Sequence, residues 1–228
     1  MKIILAGAEY VGTTTFANAI NDWKLGTMGE GFPIIHDHFK LPHTSGHPDD
    51  TTPEEQQQIL ALTPKLLEMY TRYSIYYHVM HYQQPDDLTV GLHIEEAVYA
   101  SLYFNYGHPD EFFSRETLPG RVEEAIKLMT DDPVIVVHMT AKPDVIRQRM
   151  REAPHENAVL QEKDIELVLE KFEKGVGQSN LGPKLYIDTS NDSVADCLKE
   201  FSSQIEPHLT THDRERIDGN RSPKTTKL

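Results

Sequence analysis

A chain of 228 residues, 38% of them hydrophobic, has the length for one α/β domain and enough apolar material for a core. Its net charge of −14 repels phosphate backbones, which disfavours nucleic acid as a partner and requires a local basic pocket for any polyanion. Cys197 is the only cysteine, so no internal disulfide forms, and no apolar run approaches the ~20 residues that cross a bilayer. The expectation is a cytoplasmic protein with no membrane partner.

Five short apolar runs, at 2–6, 32–35, 88–92, 133–139 and 184–187, are bounded by Gly, Pro or Asp and predict buried strands. Helical stretches fall between them. The first runs from about Thr14 to Trp23. A longer one takes Thr63 as N-cap and Pro64 as its first residue and continues to about Tyr82. Further helices are expected over 120–129, 143–152, 162–176 and 193–206. In the stretch 162–176, Ile165, Val168, Leu169, Phe172 and Val176 share one face. Strands alternating with helices specify an α/β fold of three α/β/α layers around a mostly parallel five-stranded sheet, with ligands at the C-terminal strand ends. The segment 42–58 is rich in Pro, His, Asp, Thr and Gln and reads as an irregular excursion. Residues 211–228 lack apolar periodicity and read as a mobile tail behind a domain of 1–210.

The first strand runs into GAEYVGTTT, residues 7–15. The spacing matches the phosphate-binding loop G-x-x-x-x-G-K-[ST] except that Thr13 stands at the lysine position. Such a loop works mainly through backbone: its N–H groups form a concave nest, and the following helix aims its positive end at the anion. Gly7, Ala8, Glu9, Tyr10, Val11, Gly12, Thr13 and Thr14 are therefore the candidate nucleotide-binding residues, with the Thr14 hydroxyl as a Mg²⁺ ligand. Losing the lysine removes a charge-assisted contact worth roughly 1.5–3 kcal/mol, which binding tolerates better than catalysis does.

From this loop onward the order of segments resembles the nucleoside-monophosphate kinases of the P-loop NTPases, thymidylate kinase most of all. IILAGAEYVGTTT is similar to that family's first strand and loop. LLEMYTRYSIYYH resembles its substrate-side helix, with Arg72 at the position of a substrate arginine. LTVGLHIEEAVYASLYF stands where the family has a strand followed by Asp-Arg and a tyrosine. Here the Asp-Arg pair is missing, and His93, Glu95 and Glu96 occupy the region. PVIVVHMTAKPDVIRQRMRE resembles the fourth strand and an arginine-bearing lid, around 143–176, and KLYIDTSND the fifth strand and adenine loop. The resemblance implies ATP or another nucleotide as donor, Mg²⁺, and a small phosphorylated or nucleoside-like acceptor; a homodimer is compatible with it. The loop also resembles the sulfonate-donor loop of sulfotransferases, although Tyr10 stands where that family has a basic residue.

Arg147 and Arg151, four residues apart on one helix face, are the candidate cations replacing the lysine, with Lys142 at the helix start. Glu95 and Glu96 are candidates for holding metal or taking an acceptor proton; as helix-start acids they also suit the helix dipole. Asp37, His38, Lys40, Arg72 and Tyr99 are the candidate acceptor-side residues. His36 and His38, with His43, form a His-x-His pattern compatible with a transition metal, against a plain reading as polar strand-end residues. Two functions follow from these residues. One is a phosphotransferase using lid arginines, and the other is a nucleotide-binding module without turnover.

Overall fold

The computed structural model describes residues 1–37, 52–155 and 158–221, the Gln56 side chain excepted. Five parallel strands form one sheet: β1 (Lys2–Ala6), β2 (Ile35–Asp37), β3 (Asp87–Val90), β4 (Val134–Thr140) and β5 (Lys184–Asp188), in the order β2-β3-β1-β4-β5. Helices cover both faces: α1 (Thr13–Met28), α2 (Pro53–Leu60), α3 (Pro64–Val79), α4 (Leu92–Tyr103), α5 (Leu118–Met129), α6 (Pro143–Glu152), α7 (Ile165–Gln178), α8 (Val194–Ile205) and α9 (Thr211–Arg221). The expected three-layer α/β/α architecture is present. Ile3, Ile4, Leu5, Val136 and Val137 are fully buried because the central strands are covered on both sides, and this is why they read as unbroken apolar runs. At the edge strand β5 the pattern alternates instead, with Leu185 and Ile187 inward and Tyr186 outward. No described helix is long and apolar enough to cross a membrane.

The chain moves to one side of β1 for β2 and β3 and to the other for β4 and β5. That reversal opens a crevice at the C-terminal end of β1, the usual place for a ligand in such a sheet. The loop 7–12 lies there.

Four sequence expectations need correction. The run 32–35 is mostly not strand. Pro33 lacks the N–H a ladder needs, and Phe32 packs under α1, its backbone N–H on Asn21 Oδ1 (2.7 Å) and the Lys24 ammonium 5.1 Å from its ring. The third strand stops at Val90, because Gly91 (φ 82°) and Leu92 (φ 58°) turn left-handed into α4. Within 42–58, residues 53–58 are helical, since Thr52 and Glu55 form a capping box with Pro53 at the first position; 42–51 lie outside the described residues. Residues 211–221 are a docked helix rather than a tail. Asp213 and Thr210 cap one another, Ile217 is buried, and Arg216 donates to Asp86 at 2.6 and 3.0 Å. Ion pairing, which has no periodicity, holds α9 in place.

Candidate functional site

The loop is shaped by two glycines with different reasons. A Cβ on Gly7 would lie 2.5 Å from the Met139 carbonyl oxygen and 2.8 Å from Val11, so β4 presses too close for any side chain. Gly12 has φ +94° with open space around it, and Tyr10 shares the left-handed conformation at φ 69°. Gly12 is also the N-cap of α1, and no side chain caps that helix, which leaves first-turn N–H groups for an anion.

The outer side of the loop is braced from three directions. Tyr99 on α4 accepts from the Glu9 N–H at 3.0 Å. Thr189 after β5 donates to the Val11 carbonyl at 2.9 Å. Arg149 on α6 donates to the Tyr10 carbonyl (2.9 Å), to Thr189 Oγ1 (3.0 Å) and to the Thr189 carbonyl (2.6 Å). Arg149, not Arg147 or Arg151, is thus the lid-helix arginine that touches the loop. Arg147 pairs with Asp144 and Glu166, and Arg151 lies 3.8 Å from Glu162, on the α6 face turned to α7. Lys142 is the N-cap residue of α6 and carries no contact to the loop among those described.

The lid segment is tied to the loop as well. Buried Glu9 accepts from the Val159 and Leu160 N–H groups at 2.8 and 2.7 Å. The Tyr10 ring stacks on His155 at 4.0 Å, and its hydroxyl accepts the His155 N–H at 3.1 Å.

At the mouth of the loop, Thr13 is buried and Thr14 exposed. Thr14 Oγ1 donates to Asp37 Oδ2 at 2.8 Å. On α4 the Glu95 carboxyl is fully buried, and neither oxygen has a hydrogen-bond partner among the described residues. Burial first, and then the charges of Asp37, Glu9 and Glu96, push its pKa well above the ordinary carboxylate range. A buried carboxyl without a hydrogen-bond partner, a threonine hydroxyl and a second carboxylate are oxygen donors of the kind that suits Mg²⁺, a hard cation. The uncapped helix start and open space at Gly12 suit a phosphate.

Glu96 faces the other way. It accepts from Arg115 Nε (3.0 Å) and Nη2 (2.8 Å), Thr71 (3.0 Å) and Tyr106 (2.9 Å). Arg115 also reaches Glu68 at 3.3 Å, and Arg72 donates to Glu68 at 2.8 Å while stacking over Phe113 at 3.8 Å. Burial raises the Glu68 pKa, but the two guanidiniums outweigh it and hold the group below its usual value. Glu96, expected to hold metal or take an acceptor proton, and Arg72, expected at the acceptor side, thus belong to a paired cluster that includes Arg115 and Glu68.

Sequence reasoning missed Arg115, because it lies in the irregular stretch between α4 and α5. Glu68 was missed as well, although its i,i+4 spacing to Arg72 places both on one helix face. Tyr99 supports the loop through its hydroxyl and is 1% exposed, so it presents no face to an acceptor. His38, Lys40 and His43 lie outside the described residues. His36 lies among His78, His81 and Asp87.

With this geometry, known structures overlay on nearly the whole chain. YorR from Bacillus subtilis, solved with phosphorylated GDP, matches at TM-score 0.57 and 19% identity, over 92% of this chain and 99% of its own. Deoxyadenosine kinase from M. mycoides with bound dATP matches at 0.56 and 16%, over 90% and 99%. Thymidylate kinase from Candida albicans matches at 0.53 and 13%, over 95% and 93%. The chain has the fold of these proteins, two of them kinases. At such identities the likeness concerns the fold alone. No protein-family model matches the chain, and no curated protein sequence does.

Proposed function

We propose that the chain binds a nucleotide on Gly7–Thr14 and transfers a phosphoryl group to a small nucleoside-like acceptor. The observation that carries this reading is the buried Glu95 carboxyl, whose two oxygens have no partner among the described residues and which feels the charge of Asp37, itself bonded to Thr14 at the mouth of the loop. A fully buried, unpaired acid costs stability, and a ligand or proton-transfer role accounts for its place.

In this reading the loop amides and the start of α1 hold the donor phosphates. Thr14, Asp37 and Glu95 would hold Mg²⁺, which when bound neutralises phosphate charge. The raised pKa opposes ionisation of the free carboxyl, so a bound cation would displace the Glu95 proton and the group would serve as a metal ligand rather than as the acceptor's base. Arg72 would line the acceptor side, held in place by Glu68, which the buried Arg115 links to Glu96. Arg147 and Arg151 act as lid cations only after leaving Glu166, Asp144 and Glu162. Transfer then rests on positioning and charge compensation, as phosphoryl transfer generally does.

A second reading has its own support. Thr13 supplies no loop cation, and Arg149 is committed to the Tyr10 and Thr189 carbonyls. Both features favour a nucleotide-binding module that senses the ligand through the Glu9–lid contact and turns nothing over.

Transfer of labelled γ-phosphate from ATP, measured over a panel of nucleosides and nucleoside monophosphates with Mg²⁺, separates the two. Product that disappears in Glu95→Gln supports the phosphotransferase. Stoichiometric nucleotide binding with no product over the panel establishes the binder, and absence of nucleotide binding overturns both.

A further inference from the structure

We infer that His36, His78 and Asp87 form a site for a transition metal of the Zn²⁺ class, separate from the nucleotide site. The one ligand atom that each residue offers lies within 4.8 Å of the other two. Asp87 Oδ1 stands 3.2 Å from His78 Nε2, and Asp87 Oδ2 stands 4.0 Å from His36 Nε2. Both imidazoles thus aim a ring nitrogen at one carboxylate. Tetrahedral Zn²⁺, with bonds of about 2.0–2.1 Å, places its ligand atoms about 3.4 Å apart. The His78–Asp87 pair has nearly that separation, and the three ligand atoms, all within 4.8 Å of one another, would draw closer on binding.

The fold explains why these residues meet. In the β2–β3 ladder His36 is in register with Thr89, and Asp87 lies two residues before Thr89 on the same face of the sheet. The last turn of α3 brings His78 over that face. The short 3₁₀ turn Met80–Gln83 adds His81, whose ring lies 4.6 Å from that of His36 and 5.3 Å from that of His78. His81 or a water would complete four-coordination. Thr89 donates to Asp87 Oδ1 at 2.6 Å and so orients the carboxylate, while the Thr89 oxygen lies 2.8 Å from His78 Nε2, a contact that a metal on that nitrogen would replace.

A buried His78–Asp87 hydrogen bond alone would stabilise the fold without metal. Yet a single carboxylate faced by two imidazoles, with a third ring adjacent, offers the nitrogen-rich donor set that Zn²⁺ or Co²⁺ prefers and Mg²⁺ does not. A metal here would join β2 to α3 and β3. Since Asp37 follows His36, it would also fix the strand end that meets Thr14.

The test uses the full chain after exhaustive dialysis against chelator. Zn²⁺ is titrated by calorimetry, and Co²⁺ is followed by the visible absorption of a tetrahedral site. One equivalent should bind, with Tm raised, and both His36→Gln and Asp87→Asn should weaken binding by more than about 100-fold, beyond the loss expected for an outer-shell partner. The chain has twelve histidines, so adventitious binding is the competing explanation. Binding that survives both substitutions, or no stoichiometric binding at all, overturns the site. Should Asp87→Asn fail to fold by circular dichroism, the less buried His36→Gln decides alone: retained Zn²⁺ affinity overturns the proposal and a loss of more than about 100-fold supports it.

Discussion

The Thr14 hydroxyl donates to Asp37 Oδ2 at 2.8 Å, joining the first turn of the helix after the loop to the end of the edge strand β2. Residues 23 positions apart thereby form one polar floor, and the charge of Asp37 reaches the unpartnered Glu95. A cation at this floor would meet three oxygen donors from three elements. Triphosphate binding should therefore depend on Mg²⁺, since the loop has no lysine and its neighbours are acidic. Calorimetry with ATP in EDTA and then in excess Mg²⁺ checks this. Equal affinity in both would remove the metal from the site.

Glu95→Gln should separate stability from function. In the folded chain the Glu95 pKa is raised, so above the unfolded carboxylate value the folded state holds a proton that the unfolded state has released. Stability therefore falls as pH rises from that value toward the folded pKa. An uncharged glutamine is free of this effect. Thermal melts across pH should show the variant melting higher than the parent near neutrality, with a flatter profile; about 1 kcal/mol corresponds to roughly 2–4 °C for a chain of this size. Phosphoryl transfer, by contrast, should be lost. A variant that melts lower at pH 7 contradicts the assignment of Glu95 as an unpaired acid.

Gly12→Val tests the loop by its dihedral rather than by crowding, since nothing lies near the added Cβ while φ is +94°. The left-handed conformation costs a β-branched residue about 1–2 kcal/mol, and the side chain fills the space left for phosphate. Nucleotide affinity should fall below detection while a folded chain remains. Unchanged affinity in a folded variant argues against the loop as the binding site.

Arg149 and Arg147 should behave differently. Arg149→Ala removes three hydrogen bonds to the loop and to Thr189, with a cost of about 1.5–3 kcal/mol for each well-formed charged bond at most, and the loop loses its support. Chemical denaturation should report the loss. Arg147→Ala breaks only exposed pairs and should leave the midpoint unchanged. If Arg147 is a lid cation, its alanine variant weakens triphosphate binding more than monophosphate binding.

Thr13→Lys restores the cation that the loop lacks. The position is buried, so the lysine stem has to run along the loop with its ammonium at the mouth, near the donor phosphates. ATP affinity measured by calorimetry at fixed Mg²⁺ should rise by about 1 kcal/mol or more, roughly fivefold. No change in a folded variant would show that position 13 does not face the phosphates.

Much of the architecture was legible because burial leaves a one-dimensional trace. Ile3–Ala6 and Val134–Val137 read as strands since a parallel strand covered on both faces must be apolar at every position. The start of α6 followed from Pro143, and the loop from glycine spacing that close approach of β4 at Gly7 and a left-handed backbone at Gly12 explain. What periodicity does not encode is which polar groups meet. Helix α9 escaped notice because it docks through Arg216 and Asp86, 130 residues apart, with Ile217 as its main apolar anchor. Arg149, not the spaced pair Arg147 and Arg151, reaches the loop, because rotation of α6 on the sheet decides which face looks inward. Likewise His36 finds His78 and Asp87 through strand register and helix packing. Charge pairing between distant segments has no sequence period, and the tertiary structure alone decides it.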